Sequence, residues 1–256
     1  MNIALILSGG TGTRVGSDIP KQYITVCGRP IISYCLNVFM NHPEIDAVQV
    51  VADDKWQAFI GECLDEAGKD VAEEKRQIWE HKRKGFSEPG ANRQLSILNG
   101  LEDILTYAAR DDVVIIHDAA RPMITDQFIT DCLAAIRGHE GVLPVLPMKD
   151  TVYQSEGDNR ISSLLDRDFI FAGQAPEVFT LGRYYDANRA LLPHRILTVK
   201  GSTEPAVLAG MDVVMIDGDE GNFKITTQGD LKRFQEIVSA VDDEAGVRNT
   251  AFVRGL

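Results

Sequence analysis

No apolar run in the 256 residues approaches the ~20 that a membrane-spanning helix requires, so no membrane partner is expected. Cysteine is scarce. The four present (Cys27, Cys35, Cys63, Cys132) form no CxxC pair and no metal-ligand spacing. That argues against a disulfide framework or a zinc site and for reduced thiols in a cytoplasmic protein. Basic residues are outnumbered, 26 Lys and Arg against 38 Asp and Glu, for a formal net charge of −12. A general nucleic-acid binder would need a basic face, and this balance leaves little for one. Internal repeats, low-complexity segments and an obvious linker are also lacking. The first seven residues carry no basic stretch and run straight into a glycine loop, so they read as a first strand rather than a signal peptide.

What is present is an ordinary globular composition, 44% hydrophobic and 25% charged. Short apolar, β-branched runs alternate with helical patterns. Strands are expected at 3–7, 47–52, 112–117, 141–147 and 213–216. Helices are expected at 31–40, 55–67, 94–109, 126–137, 181–191 and 228–241. On the second helix Trp56, Phe59, Ile60 and Cys63 share one face. This alternation predicts an α/β fold, a Rossmann-like, mostly parallel sheet with helices on both faces. Such sheets bind ligands beyond the carboxyl ends of their strands. Two stretches break the pattern. Residues 69–90 are polar and charged and read as an exposed, partly helical excursion. Residues 149–171 alternate apolar and polar around Ser155-Glu156-Gly157-Asp158-Asn159, which reads as a projecting hairpin arm. An arm cannot bury both faces by itself, so it is expected to dock on another subunit. The organisation expected is one domain over 1–241 carrying the arm, with a frayed tail at 242–256.

The first strand ends in Ser8-Gly9-Gly10-Thr11-Gly12-Thr13-Arg14-Val15-Gly16. Such glycines let backbone N–H groups approach an anion closely. The spacing is neither the Walker pattern nor GxGxxG. Arg14 closes the loop and Pro20-Lys21-Gln22 follows, so two cations stand near one amide-lined turn. A triphosphate suits that arrangement; a tight turn without a ligand is the plainer alternative. Three further groups fall at expected strand or helix ends. In His117-Asp118-Ala119-Ala120-Arg121-Pro122 a carboxylate could hold a divalent cation or a ribose hydroxyl. Arg121 there could hold that carboxylate or a phosphate. Ser96, in the helix opened by Arg93-Gln94-Leu95-Ser96, could meet a base edge or lie on a polar face. Asn222-Phe223-Lys224-Ile225-Thr226-Thr227 supplies an isolated lysine, with Thr227 as an N-cap for the last helix. On the arm, Thr151 and Arg167 are the polar candidates.

Taken in order, Gly-Gly-Thr-Gly-Thr-Arg, Pro-Lys-Gln, Arg-x-x-Ser-x-x-Asn-Gly-Leu, His-Asp-Ala-Ala-Arg-Pro and Asn-Phe-Lys-Ile-Thr-Thr resemble the cytidylyltransferases that act on polyol phosphates. That family includes enzymes for 2-C-methyl-D-erythritol 4-phosphate and for ribitol 5-phosphate. The resemblance runs from Ile3 to about Val238 and implies a GT-A-like nucleotidyltransferase fold. It also implies a homodimer made by exchanged arms, magnesium as cofactor, and CTP and a polyol phosphate as substrates. Carried over motif by motif, Arg14, Lys21 and Lys224 would be catalytic. Ser8, Gly9, Gly10, Thr11, Gly12 and Thr13 would hold the phosphates. Gly90, Arg93 and Ser96 would meet the cytosine, and Asp118 and Ala119 the ribose, with Asp118 also binding the metal. Thr151, Arg167, Thr226 and Arg121 would serve the acceptor, Arg121 also supporting the Asp118 turn. The chain departs from the family pattern at Gly173-Gln174-Ala175-Pro176-Glu177, where Thr-Pro-Gln is common. It departs again at Ser202-Thr203-Glu204-Pro205-Ala206, where Thr-Asp-Asp/Glu-Ala is common.

The implied reaction moves CMP from CTP to the acceptor phosphate and releases pyrophosphate. 2-C-methyl-D-erythritol 4-phosphate, an isoprenoid precursor, is preferred as acceptor on the residues around Asp118, with ribitol 5-phosphate as the alternative. A sugar-1-phosphate nucleotidyltransferase, a catalytically silent nucleotide-binding relative and a dinucleotide-dependent oxidoreductase are the remaining readings.

Overall fold

The computed structural model describes residues 1–10 and 19–244, with side chains through Val241. Thr11, Gly12, Thr13 and Arg14 of the glycine loop, and the tail beyond Glu244, lie outside the described residues.

The chain begins with β1 (Asn2–Leu7), whose interior is fully buried. After the minor pair β2 (Thr25–Val26) and β3 (Arg29–Pro30) come α1 (Ile31–Asn41), β4 (Ala47–Val51), α2 (Asp54–Lys69), α3 (Glu73–Lys82), β5 (Arg83–Ser87), α4 (Arg93–Ile104), β6 (Val113–Asp118), α5 (Asp126–Ala135) and β7 (Gly141–Pro147). The arm carries β8 (Val152–Gln154) and β9 (Ser163–Leu165) and returns through β10 (Phe171–Gly173). Then follow β11 (Glu177–Thr180), α6 (Leu181–Arg189), α7 (Glu204–Leu208), β12 (Val213–Asp217) and α8 (Gln228–Glu244).

β1 pairs in parallel with β4 on one side and β6 on the other, and β5 extends the sheet beyond β4. Strands buried on both faces are written as unbroken apolar runs, as Ile3-Ala4-Leu5-Ile6 is. Successive side chains of this run divide between two cores. Ala4 and Ile6 join Phe39, Ile60 and Phe128 on the face of α1, α2 and α5. Ile3 and Leu5 join Ile97, Leu101 and Tyr184 on the face of α4 and α6. β7 carries β12 in parallel along one edge and β10 then β11, antiparallel, along the other. β11 also pairs antiparallel with β6 and so closes the sheet.

Several features differ from the sequence reading. β11 sits between β6 and β7, where no strand was expected: four residues are too few for periodicity to register. The excursion at 69–90 is less exposed than its charge suggests, since Trp79 and Lys82 are buried and β5 joins the sheet. The charged Arg83 and Lys84 suit β5 to an edge, where they discourage further pairing. α4 stops at Ile104, five residues early, where Thr106 Oγ1 donates to Asp103 O at 2.6 Å in the turn that follows. α7 was also unforeseen. The arm is the expected antiparallel hairpin, with Val152 opposite Leu165. Among the described residues no helix is long and apolar enough to cross a membrane.

Candidate active site

In β1 and β6, parallel neighbours, Leu7 lies opposite Asp118. The glycine loop and the Asp118 turn therefore leave the sheet side by side. They open onto a cleft of about 560 Å³, which Gly9, Gly10, Lys21, Gly90, Arg93 and Lys224 also line. Lys21 and Lys224, 203 positions apart, thus share one cavity.

The loop is held by partners close in sequence. Ser8 Oγ donates to Tyr23 Oη at 2.8 Å, and the buried Gln22 donates from Nε2 to the carbonyls of Ser8 at 2.7 Å and Gly10 at 2.8 Å. Gln22 thereby engages two acceptors that would otherwise repel an anion. A Cβ at Gly9 would sit 2.7 Å from Pro89 Cβ, so the loop leans directly on the 88–92 turn.

That turn is built by polar side chains. Ser96 Oγ accepts from Gly90 N and donates to Asn92 O, both at 2.9 Å. Asn92 Oδ1 caps α4 by accepting from Leu95 N at 2.8 Å. A side chain at Gly90 would reach within 2.3 Å of Leu95 Cβ and 2.8 Å of Ser96 N, so only glycine fits. Ser96 lines the cleft as expected, but its hydroxyl is engaged in shaping the turn.

At the end of β6 stands Asp118, buried, with both oxygens occupied. Arg93 donates to Oδ1 from Nε at 3.2 Å and Nη2 at 3.1 Å, and Lys224 Nζ donates to Oδ2 at 2.9 Å. Arg121 Nε lies 3.7 Å from Oδ2. Burial opposes ionisation of Asp118, but Arg93 and Lys224 outweigh it and hold the carboxyl far below the usual carboxylate range. His117, in the core beneath, is pushed down to about 4 by burial and is neutral. Its Nε2 faces Arg121 O at 3.0 Å; a carbonyl only accepts, so Nε2 carries the hydrogen.

Several expected positions fall elsewhere. Ala119 is buried with its N–H on Leu7 O at 3.0 Å, and Ala120 lines the cleft in its place. Arg121 is not in the lining; it braces the turn and donates from Nη1 to Asn222 O at 2.8 Å. Thr226 Oγ1 donates to Asp230 Oδ2 at 2.7 Å as part of the α8 start, so its hydroxyl is turned to capping and not to the cleft. Thr227 accepts from Asp230 N at 3.2 Å, as an N-cap should. Thr151 and Arg167 lie on the arm, away from this chain's cleft lining, with Arg167 Nη1 on Lys149 O at 2.8 Å. Asp53, placed where a dinucleotide fold would want an acid, caps α2 through Lys55 N. The sequence reading passed over Gln22 as a ligand-loop brace, Asn92, and the buried Glu177. Burial raises the Glu177 carboxyl, which accepts from Thr203 Oγ1 at 3.3 Å. A single polar residue in a short helical turn, at a helix N-cap or at the start of a four-residue strand carries no periodic signal that marks it.

Three cations and one carboxylate, beside a glycine turn at the carboxyl end of β1 in a mostly parallel sheet, are the site and fold that an α/β nucleotidyltransferase needs for a phosphate-rich ligand. A solved 4-diphosphocytidyl-2C-methyl-D-erythritol synthase from Anaerococcus prevotii shares the fold, with TM-score 0.75 at 22% identity over 93% of this chain and 96% of that one. The chain belongs to the family described as IspD, 2-C-methyl-D-erythritol 4-phosphate cytidylyltransferase, which matches residues 2–240. It is 32% identical to a 2-C-methyl-D-erythritol 4-phosphate cytidylyltransferase of Cereibacter sphaeroides, covering 92% of this chain and 96% of the relative. It is 29% identical to a ribitol-5-phosphate cytidylyltransferase of Streptococcus agalactiae, covering 95% and 98%. A bifunctional enzyme IspD/IspF of Rhodopseudomonas palustris is 32% identical over 93% of this chain, which spans only 55% of that relative's length.

Proposed function

We propose that this protein transfers CMP from CTP to 2-C-methyl-D-erythritol 4-phosphate and releases pyrophosphate. The observation that carries the reading is one cleft that Lys21, Gly9 and Gly10 share with Arg93 and Lys224, the last two held on Asp118. An oxygen of the acceptor phosphate attacks the α-phosphorus, and the bond from that phosphorus to the bridging oxygen of pyrophosphate breaks. The acceptor phosphate is already anionic at neutral pH, so no general base is required. The obstacle is the approach of one anion to another, and fixed positive charge lowers it.

In this reading Lys21, with Arg14 of the glycine loop, meets the phosphates. Lys224 directs one N–H at Asp118 and keeps two for the reacting groups. Arg93 and Lys224 are pre-set by the same carboxylate, so little reorganisation accompanies binding. Asp118 is the one carboxylate among the described residues that line the cleft, and magnesium commonly rests on one or two carboxylates plus substrate phosphates. Arg93 fills Oδ1 with two donors, but Lys224 takes one of the two lone-pair sites of Oδ2, so Oδ2 could still hold a magnesium ion shared with the triphosphate, which would neutralise phosphate charge. The exposed apolar side chains of the arm, Tyr153, Ile161, Leu164 and Phe169, support a homodimer in which Thr151 and Arg167 serve the partner's acceptor site. All four cysteines are free, which suits a cytoplasmic setting.

The similarity to a ribitol-5-phosphate cytidylyltransferase favours ribitol 5-phosphate as the second reading. Direct competition of the two polyol phosphates, with CTP and magnesium, tests both. The methylerythritol product is expected to dominate; dominance of CDP-ribitol would transfer the assignment. Preference for UTP or dTTP over CTP would overturn the cytidylyl reading itself.

A further inference from the structure

Lys224 stands in the irregular segment between β12 and α8, yet its ammonium meets Asp118 at 2.9 Å. A long lysine on an unsupported loop would sample many positions, so its seat needs an external brace. The brace is Gln174, buried at the link between β10 and β11, where the arm returns to the sheet. Its Nε2 donates to Asp219 O at 2.8 Å and Asn222 O at 3.3 Å, while its Oε1 accepts from Asp219 N at 2.9 Å. Asn222, fully buried, answers by donating from Nδ2 to Ala175 O at 2.8 Å. The same Asn222 carbonyl accepts from Arg121 Nη1, so the loop is tied to the neighbour of Asp118 as well. At the arm's other root Lys149 pairs with Glu220, and Arg167 holds Lys149 O. Both ends of the arm therefore grip the turn that precedes Lys224.

We propose that Gln174 is a positioning residue for Lys224: its carboxamide splices the 218–222 turn to the arm's return strand, so that the arm root and the lysine ammonium keep one relative position. The proposal rests on the reading of Lys224 as a charge-neutralising group. Its physical basis is that rate is steeply sensitive to placement, with a displacement of about 1 Å able to cost about a hundredfold.

The test is a double-mutant cycle on the full chain. Gln174→Leu keeps the volume and removes every side-chain bond to the turn. Gln174→Glu keeps the acceptor but sets a carboxylate against two carbonyls, and serves in its place if Gln174→Leu fails to fold. Pyrophosphate release with CTP, magnesium and the preferred polyol phosphate is expected to show kcat lower by about tenfold or more, with KM for the acceptor changed less than about threefold. In the Lys224→Ala background the same substitution should cost less than about twofold, because the group it positions is gone. An equal loss in both backgrounds, or no loss in the first, overturns the proposal. A second readout is independent of turnover. Acylation of Lys224 by an amine reagent, followed by mass spectrometry against Lys84 as internal reference, should speed up severalfold in Gln174→Leu. An unchanged rate overturns the proposal. Normal turnover by Lys224→Ala would instead defeat the reading of that lysine, and the acylation rate would still decide Gln174.

Discussion

Lys224 Nζ and Asp118 Oδ2 lie 2.9 Å apart across 106 positions of chain. The opposite oxygen of the same carboxylate holds Arg93. Asp118 is thus the pin that gathers two of the cleft's cations, Arg93 and Lys224, which a polyphosphate would meet. A carboxylate so surrounded cannot act as a base, which agrees with a reaction that needs none.

Removing either lysine should therefore damage rate and spare the fold. Lys21→Ala and Lys224→Ala are each expected to lower turnover about a hundredfold, near 3 kcal/mol of barrier. Circular dichroism should show melting within a few degrees of the parent. Near-normal turnover in a pyrophosphate-release assay would remove the residue from the reaction.

Removing the pin should do the reverse damage as well. Asp118→Asn leaves Arg93, Lys224 and Arg121 crowded without their shared counter-charge. Breaking a buried charge cluster from one side typically costs about 3 kcal/mol or more. A urea unfolding curve should shift its midpoint downward; an unchanged midpoint would show that the cations separate freely.

Asp230 offers a pH-dependent case. Burial opposes its ionisation, yet hydrogen bonds from Thr226 and Thr227 outweigh this and bring the carboxyl down to about 2. A carboxyl held below its unfolded value near 3.8 stabilises the fold above that value, and the contribution fades as pH falls from there towards 2. The site is partly solvated, so with screening Asp230→Ala should cost about 1 kcal/mol at pH 7. The gap between parent and variant in denaturant titrations should be narrower at pH 3. A gap independent of pH would mean that the charge contributes nothing.

The arm predicts two separable defects. If the arm makes the proposed homodimer, Leu164→Asp combined with Phe169→Asp should yield a monomer in analytical ultracentrifugation where the parent sediments as a dimer, since both side chains are exposed on the single chain. Arg167→Ala should leave the sedimentation unchanged from the parent and raise the acceptor KM severalfold with little change for CTP. An unchanged acceptor KM would take the arm out of the site.

Much of the frame was legible. β7 was read residue for residue, and β1, β4 and β6 to within a residue or so, because buried parallel strands are unbroken apolar runs. β5 was not, since Arg-Lys-Gly-Phe-Ser lacks that run and owes its place to pairing with β4. β11 was hidden by its four-residue length. In the site, Lys21, Arg93, Asp118 and Lys224 were legible as motifs. That Arg93 clasps Asp118, that Ser96 shapes the Gly90 turn, and that Thr226 serves Asp230 were not. Those are choices of partner, and a side chain's partner lies outside the local window that periodicity samples.

By itself the sequence determined the alternation of apolar strands with amphipathic helices, hence a largely parallel sheet, and the stock of cations available to its strand ends. Only the tertiary structure decided which of those cations share a cleft. Leu7 meets Asp118 through strand register, and Lys224 arrives through a loop braced by Gln174 and Asn222. Burial and hydrogen bonding are satisfied jointly across the whole chain, so no short stretch of it specifies that meeting.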